Sequence, residues 1–411
     1  MRIVELTAHV IRVGMKHEIR HASHVRRESD NVMVVCRTDC GKVGLGEGVP
    51  RSYVTGETAD SAMTMFADAD LASLFDADVS DWSSAIACLD QMQLPVQGDN
   101  SRDCGSNALR CAIELSVLDA VGQVLHQPLR QLTSHVKAAT AIHHLHDRVR
   151  YSTAITAASA RRERVSALKM RLYGFAQCKV KVGVDGQRDV QRLRRIRRWL
   201  GSRVDIRVDA NEAWSVDEAA AKITELEFGQ VTCIEQPIAH ADFAALPQIR
   251  SAVKTPIMID ESLTSEIDAQ SAIASGAADC FNIRLSKCGG FVRCLRLAAL
   301  ADRAGLAYQL GCHPGETPIL SAAGRHFASS VDRIRYLEGS YDRHLLAESW
   351  TDRDITFGYG GWAPSIDGPG LGVTISAATL ARSSRRSICQ TGTTATGSHS
   401  SSDNADRKPR P

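Results

Sequence analysis

CKVKVG (178–183), DIRVDANEAW (205–214), TCIEQP (232–237), PIMIDES (256–262) and CFNIRLSKCGG (280–290) are five short β-rich runs. Each ends on a charged side chain: Lys181, Asp209, Glu235, Asp260 and Arg284 follow one another at 28, 26, 25 and 24 residues. Helical stretches such as DVQRLRRIRRWL (189–200) and DEAAAKITELEF (217–228) fill the gaps. A strand–helix unit repeated at this interval predicts a parallel α/β sheet that closes into a barrel. Side-chain alternation adds a direction. Ile206 and Val208 share one face and Arg207 and Asp209 the other; Ile257 and Ile259 face the helices, which turns Asp260 inward; Lys179 and Lys181 share the inward face.

Outward from this block, residues 2–13 and 31–37 alternate as strands, with a turn-like TDCGKVGLGEG after the second. Residues 107–125 place Leu109, Ile113, Val117, Val121 and Leu125 at helical spacing, and Pro128 ends the pattern. The chain divides into an α+β domain over 1–140, a (β/α) barrel over 141–350 and a return segment over 351–376 packing on the first domain. Residues 377–411, rich in Ser, Thr and Arg, read as a disordered tail. The Arg-rich helix reads as a solvated face.

Composition limits the partners. Lys and Arg number 49 against 47 Asp and Glu, for a net charge of +2, so no nucleic-acid partner is expected. No apolar run reaches the length of a membrane span, and MRIVELTAHVIRV lacks the core of a secretory signal, so a cytoplasmic protein is expected. Twelve cysteines without a C-x-x-C pair argue for buried thiols rather than a zinc site or a disulfide framework.

Barrel active sites lie at the C-terminal ends of the strands. Three carboxylates converging there repel unless a cation cancels them, and hard oxygen ligands suit Mg²⁺, with Mn²⁺ possible in its place. Asp209, Glu235 and Asp260 are the candidate ligands. An amine beside such an ion suits removal of a proton next to a carboxylate, because the ion neutralises the dianion as it forms. Lys181 is the candidate base, with Lys179 as a second ammonium that tunes it.

KVK, RVDANEAW, IEQP, MIDES and NIRLSKCGG resemble the muconate-lactonizing (mandelate racemase/muconate cycloisomerase-like) branch of the enolase superfamily. The likeness runs from GEGVPRSYVTGET near residue 47 to DGPGLGV near residue 370. It implies a modified (β/α) TIM barrel with an N-terminal α+β capping domain, and Mg²⁺ on Asp209, Glu235 and Asp260. It further implies Lys181 as acid/base, and a small-molecule carboxylate substrate whose choice is influenced by the loop around Tyr53. A homo-oligomer is expected on the same ground. Where this branch carries its second acid/base lysine the chain has Arg284, and the nearest lysine is Lys287, which reaches the site only if the CGG loop turns it back. Arg284 is a poor base because guanidinium stays protonated. Asn211, His313 and Glu316 complete the candidate substrate-binding set, and His313 is also a secondary candidate for the opposite-face base.

The expected activity is Mg-dependent abstraction of the proton alpha to a carboxylate through a metal-stabilised enolate, giving a racemase, epimerase or cycloisomerase. The alternatives are a dehydratase acting on a hydroxy acid by the same chemistry, and a non-catalytic descendant that binds a carboxylate.

Overall fold

The computed structural model describes residues 1–392, except 21–24, 97, 157–158 and 185–187. Strands β1 (Ile3–Arg20), β2 (Val25–Thr38) and β3 (Val43–Gly48) form an antiparallel sheet, with Leu6 opposite Cys36 and Val10 opposite Val32. The helix Asn107–Leu125 lies across it and is buried on nearly every side. Its Ala108, Ala112, Ser116 and Ala120 repeat every four residues and so form one narrow stripe. That stripe meets Gly44, Gly46 and Gly48: a Cβ on Gly46 would fall 2.0 Å from the Ala112 carbonyl oxygen, and one on Gly48 1.9 Å from that of Ala108. The glycines that read as a turn are therefore a strand, with side chains removed so that strand and helix backbones touch.

A short strand β4 (Arg148–Arg150) leads into β5 (Thr153–Ile155), β6 (Gln177–Lys181), β7 (Asp205–Asp209), β8 (Val231–Glu235), β9 (Ile257–Ile259), β10 (Cys280–Ile283), β11 (Ala307–Leu310) and β12 (Ile334–Leu337). β5 to β12 pair in chain order as one parallel sheet. It curls until its edges meet, where Ser152 N donates to Leu337 O at 2.8 Å. Ile206, Val208, Ile234, Ile257 and Ile259 pack into the main core, while Cys233, Met258, Cys280 and Tyr336 form a separate cluster. This is the expected barrel with its capping domain. Among the described residues no helix is long and apolar enough to cross a membrane.

The return segment does two things. β13 (Trp362–Pro364) pairs with β4, and Leu371 N donates to Asp119 Oδ1 of the long helix at 2.7 Å. The expectation of disorder from residue 377 needs correction. Ala377–Ser383 is a helix capped by Ser376, and β14 (Ser384–Thr391) extends the first sheet along the open edge of β1. Its side chains are largely exposed; backbone pairing with β1 is joined by Gln390 Nε2, which donates to Phe66 O, by Ser384 Oγ at His9 and by Ile388 against the core, and composition could not reveal it. Residues 393–411 of the proposed tail lie outside the described residues. The Arg-rich helix is also not wholly solvated: Arg192 is 1% exposed and pairs with Glu163 at 2.6 Å.

A methyl group at Gly46 has no space that a flexible side chain could yield, since its neighbours are helix backbone. Gly46→Ala is expected to destabilise the chain by roughly 3 kcal/mol in urea unfolding, and a loss under about 1 kcal/mol would contradict this packing.

Candidate active site

The ends of β6 to β10 and β12 deliver charges to one region. Lys179 Nζ lies 3.3 Å from Asp209 Oδ2, 3.4 Å from Glu235 Oε1 and 2.9 Å from Glu338 Oε1. Arg207 also binds Glu338 and donates to Ser152 Oγ at 3.1 Å. Arg284 Nη2 donates to Asp260 Oδ2 and lies 3.7 Å from Glu235 Oε1. Lys287 Nζ donates to Asp260 Oδ1 at 2.8 Å, to Asp260 O at 2.6 Å and to Asn282 O at 2.8 Å. Asp209, Glu235, Asp260 and Glu338 thus meet Lys179, Arg207, Arg284 and Lys287, and the formal charges cancel.

Compensation is uneven. Burial would raise the Asp260 carboxyl, but Arg284 and Lys287 outweigh it and hold the group well below the usual range. For Glu235, burial comes first and the Asp209 charge adds to it, so its carboxyl is pushed well up despite Lys179. Among the described residues, Glu235 Oε2 is buried without a hydrogen-bond partner. No three acidic, histidine or cysteine side chains among the described residues are gathered as a metal centre; Lys179 and Arg284 bridge the carboxylates instead.

The backbone beyond each acid is unusual. Asn211 (φ 44°) and Glu212 (φ 65°) follow Asp209, and Gln236 (φ 38°) follows Glu235, all in the left-handed region that non-glycine residues rarely occupy. The turn brings Asn211 Oδ1 to Lys181 Nζ at 2.6 Å. Gln236 ties β8 to β9: its Oε1 accepts from Asp260 N at 2.8 Å and its Nε2 donates to Ser262 Oγ at 2.8 Å. Behind β6, Arg192 Nη1 donates to the Lys181 carbonyl at 2.6 Å.

A cavity of about 270 Å³ opens between these strand ends and the capping domain. Of the expected site residues, Lys179, Lys181, Asp209, Asn211 and Arg284 line its barrel side. Tyr53, His313 and Glu316 line it too, while Glu235 and Asp260 are fully buried behind Lys179 and Arg284. Lys287 must be corrected: the loop does turn it back, but it is 1% exposed and locked against Asp260, away from the cavity. Asn282, Gln236 and Arg192 were not singled out from sequence. Asn282 Nδ2 donates to Glu235 Oε1 at 2.8 Å, and its place two residues before Arg284 on one strand face is the signal that could have found it; nothing local marked the other two.

Residues 161–379, more than half of the chain, match the sequence profile of the enolase C-terminal domain-like family. The chain belongs to the enolase superfamily. An L-Lys-D/L-Arg epimerase of Methylococcus capsulatus is 30% identical over 346 residues, 83% of this chain and 91% of the relative. The crystal structure of an N-succinyl Arg/Lys racemase from Bacillus cereus superposes with a TM-score of 0.82 at 26% identity, covering 95% of this chain and all of that one. A dipeptide epimerase from Cytophaga hutchinsonii, crystallised with Mg and D-Ala-L-Val, gives 0.80 at 25% identity over 95% of this chain and all of that one. These superfamily relatives are epimerases and racemases, and this member is an isomerase of the same superfamily.

Several buried carboxyls of this superfamily member are raised by burial: Glu57 and Glu114 on the helix side to about 7, Asp342 to about 7 and Glu316 to about 8 at the cavity. An unfolded chain ionises them at lower pH, so the folded state holds extra protons and loses that advantage as pH rises through these values. Above pH 6.5 the buried histidines, lowered by burial, no longer contribute. Urea-unfolding stability without added metal is therefore expected to fall from pH 6.5 to 8, on the order of 1 kcal/mol per unit, and a flat or rising profile would refute it.

Proposed function

We propose that this enzyme epimerises or racemises an amino acid residue whose amine is acylated, by moving the proton next to its carboxylate. The observation that carries this reading is Lys181: its amine faces the cavity, held by Asn211, beside the strand-end acids. Asp209, Glu235 and Asp260 are the ligands for Mg²⁺ or Mn²⁺. The free oxygen of Glu235 and its poorly compensated charge support the fit, as does the position of the three acids on neighbouring strands. When bound, such an ion supplies positive charge to the substrate carboxylate as the proton leaves. Taking the ion requires Arg284 to release Asp260, while Lys287 keeps that carboxylate in place from behind.

Lys179 sits among three carboxylates, and its role is to keep them together. β6 and β10 stand four strands apart in the barrel, so Arg284 faces Lys181 from the opposite wall. Arg284 donates hydrogen bonds there and cannot accept a proton. His313 lies by the same wall, with Nδ1 free of a hydrogen-bond partner among the described residues. Burial, Arg284 and Arg51 hold its imidazole neutral. Lys181 thus serves one face of the substrate and His313 the other, with Glu316 fixing the His313 backbone. Tyr53 belongs to the cap wall that selects the substrate. Epimerases and racemases of dipeptides and N-succinyl amino acids among the relatives support this substrate class. The unpaired cysteines suit a reducing cytoplasm.

Each base can be read separately by solvent deuterium entering the α-carbon of pure enantiomers of an N-acyl amino acid. Lys181→Ala is expected to abolish exchange of one enantiomer and His313→Asn that of the other, each by roughly 10³-fold. Unchanged exchange of both enantiomers in Lys181→Ala would end the assignment, and loss of both enantiomers in His313→Asn would remove its one-face role.

A further inference from the structure

The helix Ala160–Leu172, which follows β5, buries Glu163 and Ala167 against the barrel. At about 100° per residue, Arg161, Val165, Leu168 and Leu172 fall in one stripe on its opposite side. All four are exposed, Leu172 to 68%. Gly360 N donates to Tyr173 O at 2.7 Å, which brings Tyr359, 70% exposed, and Trp362 to the end of that stripe. Five of the eleven large apolar side chains exposed among the described residues thus gather in one place. Single exposed apolar residues are ordinary, but a group of this kind marks a surface that meets something other than water. None of these side chains lines the cavity.

Cations border the stripe. Arg162 and Lys169 flank it on one side and Arg164 and Arg171 on the other. Arg164 lies over the Trp199 ring at 5.6 Å, and a Cβ on Gly201 would fall 3.5 Å from the Arg171 guanidinium, so this second flank continues onto the Arg-rich helix Asp189–Leu200. That helix adds the exposed Arg198 and Arg194, the latter over the Phe228 ring at 4.8 Å. Each of the two helices holds five basic residues against one acid. The acids are engaged inside the pair: Glu163 by Arg192 and Arg195 at 2.6 and 3.0 Å, and Asp189 by Arg192 at 3.3 Å. None of the exposed cations of this face has an ion-pair partner among the described residues. The whole chain carries only +2, so this positive charge is local.

The geometry points to an anionic membrane surface as the partner of this face. The guanidinium and ammonium groups meet lipid phosphates there, while Val165, Leu168 and Leu172 enter the boundary between headgroups and acyl chains. Tyr359 and Trp362, each with an apolar body and a polar tip, suit the headgroup level. With no membrane-crossing helix among the described residues, the attachment is peripheral. A nucleic acid would match the charge but leave the aliphatic stripe uncovered. A second copy docked face to face about a two-fold axis would set these cations against their own images. The cap of a second copy could offer acids, since residues 52–101 hold no Lys or Arg. Val96, however, is the one large apolar side chain exposed there among the described residues, so the stripe would still lack a partner.

Co-flotation of the full chain at low ionic strength compares vesicles of phosphatidylglycerol and phosphatidylcholine in equal parts with vesicles of phosphatidylcholine alone. The anionic vesicles are expected to carry at least about tenfold more protein, with the excess shrinking as salt is raised. Two variants read the two halves of the face: Arg162→Glu with Lys169→Glu, and Leu168→Ser with Leu172→Ser. Each is expected to lower the bound amount by about tenfold. All four positions are exposed, so both variants should keep the fold, which urea unfolding checks; if one does not, the other still reads the loss. Equal flotation with both kinds of vesicle would overturn the proposal. Binding lost in the charge variant but kept in the leucine variant would assign the face to polyanions, nucleic acid included, and overturn it too. So would self-association in sedimentation velocity that the leucine variant abolishes, which would assign the face to a second copy.

Discussion

Four carboxylates and four cations share the upper end of the barrel, and neither group could stay buried without the other. The cost of desolvating an unpaired charge is several kcal/mol, so each side chain in the set constrains the position of its neighbours. Lys179 is the hub, touching acids from three different strands. Around it the strand ends cannot slide in register, because a shift of one residue would turn each acid into the apolar layer under the helices. Charge pairing thus does for the mouth of the barrel what apolar packing does for its wall.

This arrangement also explains why the region is reactive rather than merely well ordered. Asp260 is fully engaged and strongly ionised, whereas Glu235 is left with an oxygen that nothing satisfies. The left-handed residues after Asp209 and Glu235 carry a backbone cost, repaid by contacts that hold Lys181 and tie β8 to β9. Arg284 sets this chain apart from the lysine its likeness would imply, since it offers a fixed charge where a titrating amine was expected. On the proposed reading, proton transfer on that wall falls to its neighbour His313.

Much of this could be read from the chain beforehand. The interval between charged strand ends named the barrel, and alternation correctly turned Lys179, Lys181, Asp209 and Asp260 inward because the strand period is fixed by backbone geometry. What escaped depended on contacts remote in sequence. The glycines of β3 looked like a turn because their reason is a helix some 70 residues away. β14 is held mostly by backbone pairing, Arg192 hides within a run of arginines, and Lys287 follows a loop path that spacing does not encode.

The long helix under the cap has a consequence for how reactants come and go. It is riveted to the barrel, where Glu114 accepts from Val292 N at 3.0 Å and Asn107 donates to Thr264 O and Lys287 O at 2.8 and 2.7 Å. It is equally riveted to the sheet above through bare backbone contact. A roof fastened in this way has no hinge about which to swing. Passage into the chamber therefore falls to short rim segments rather than to a parting of domains.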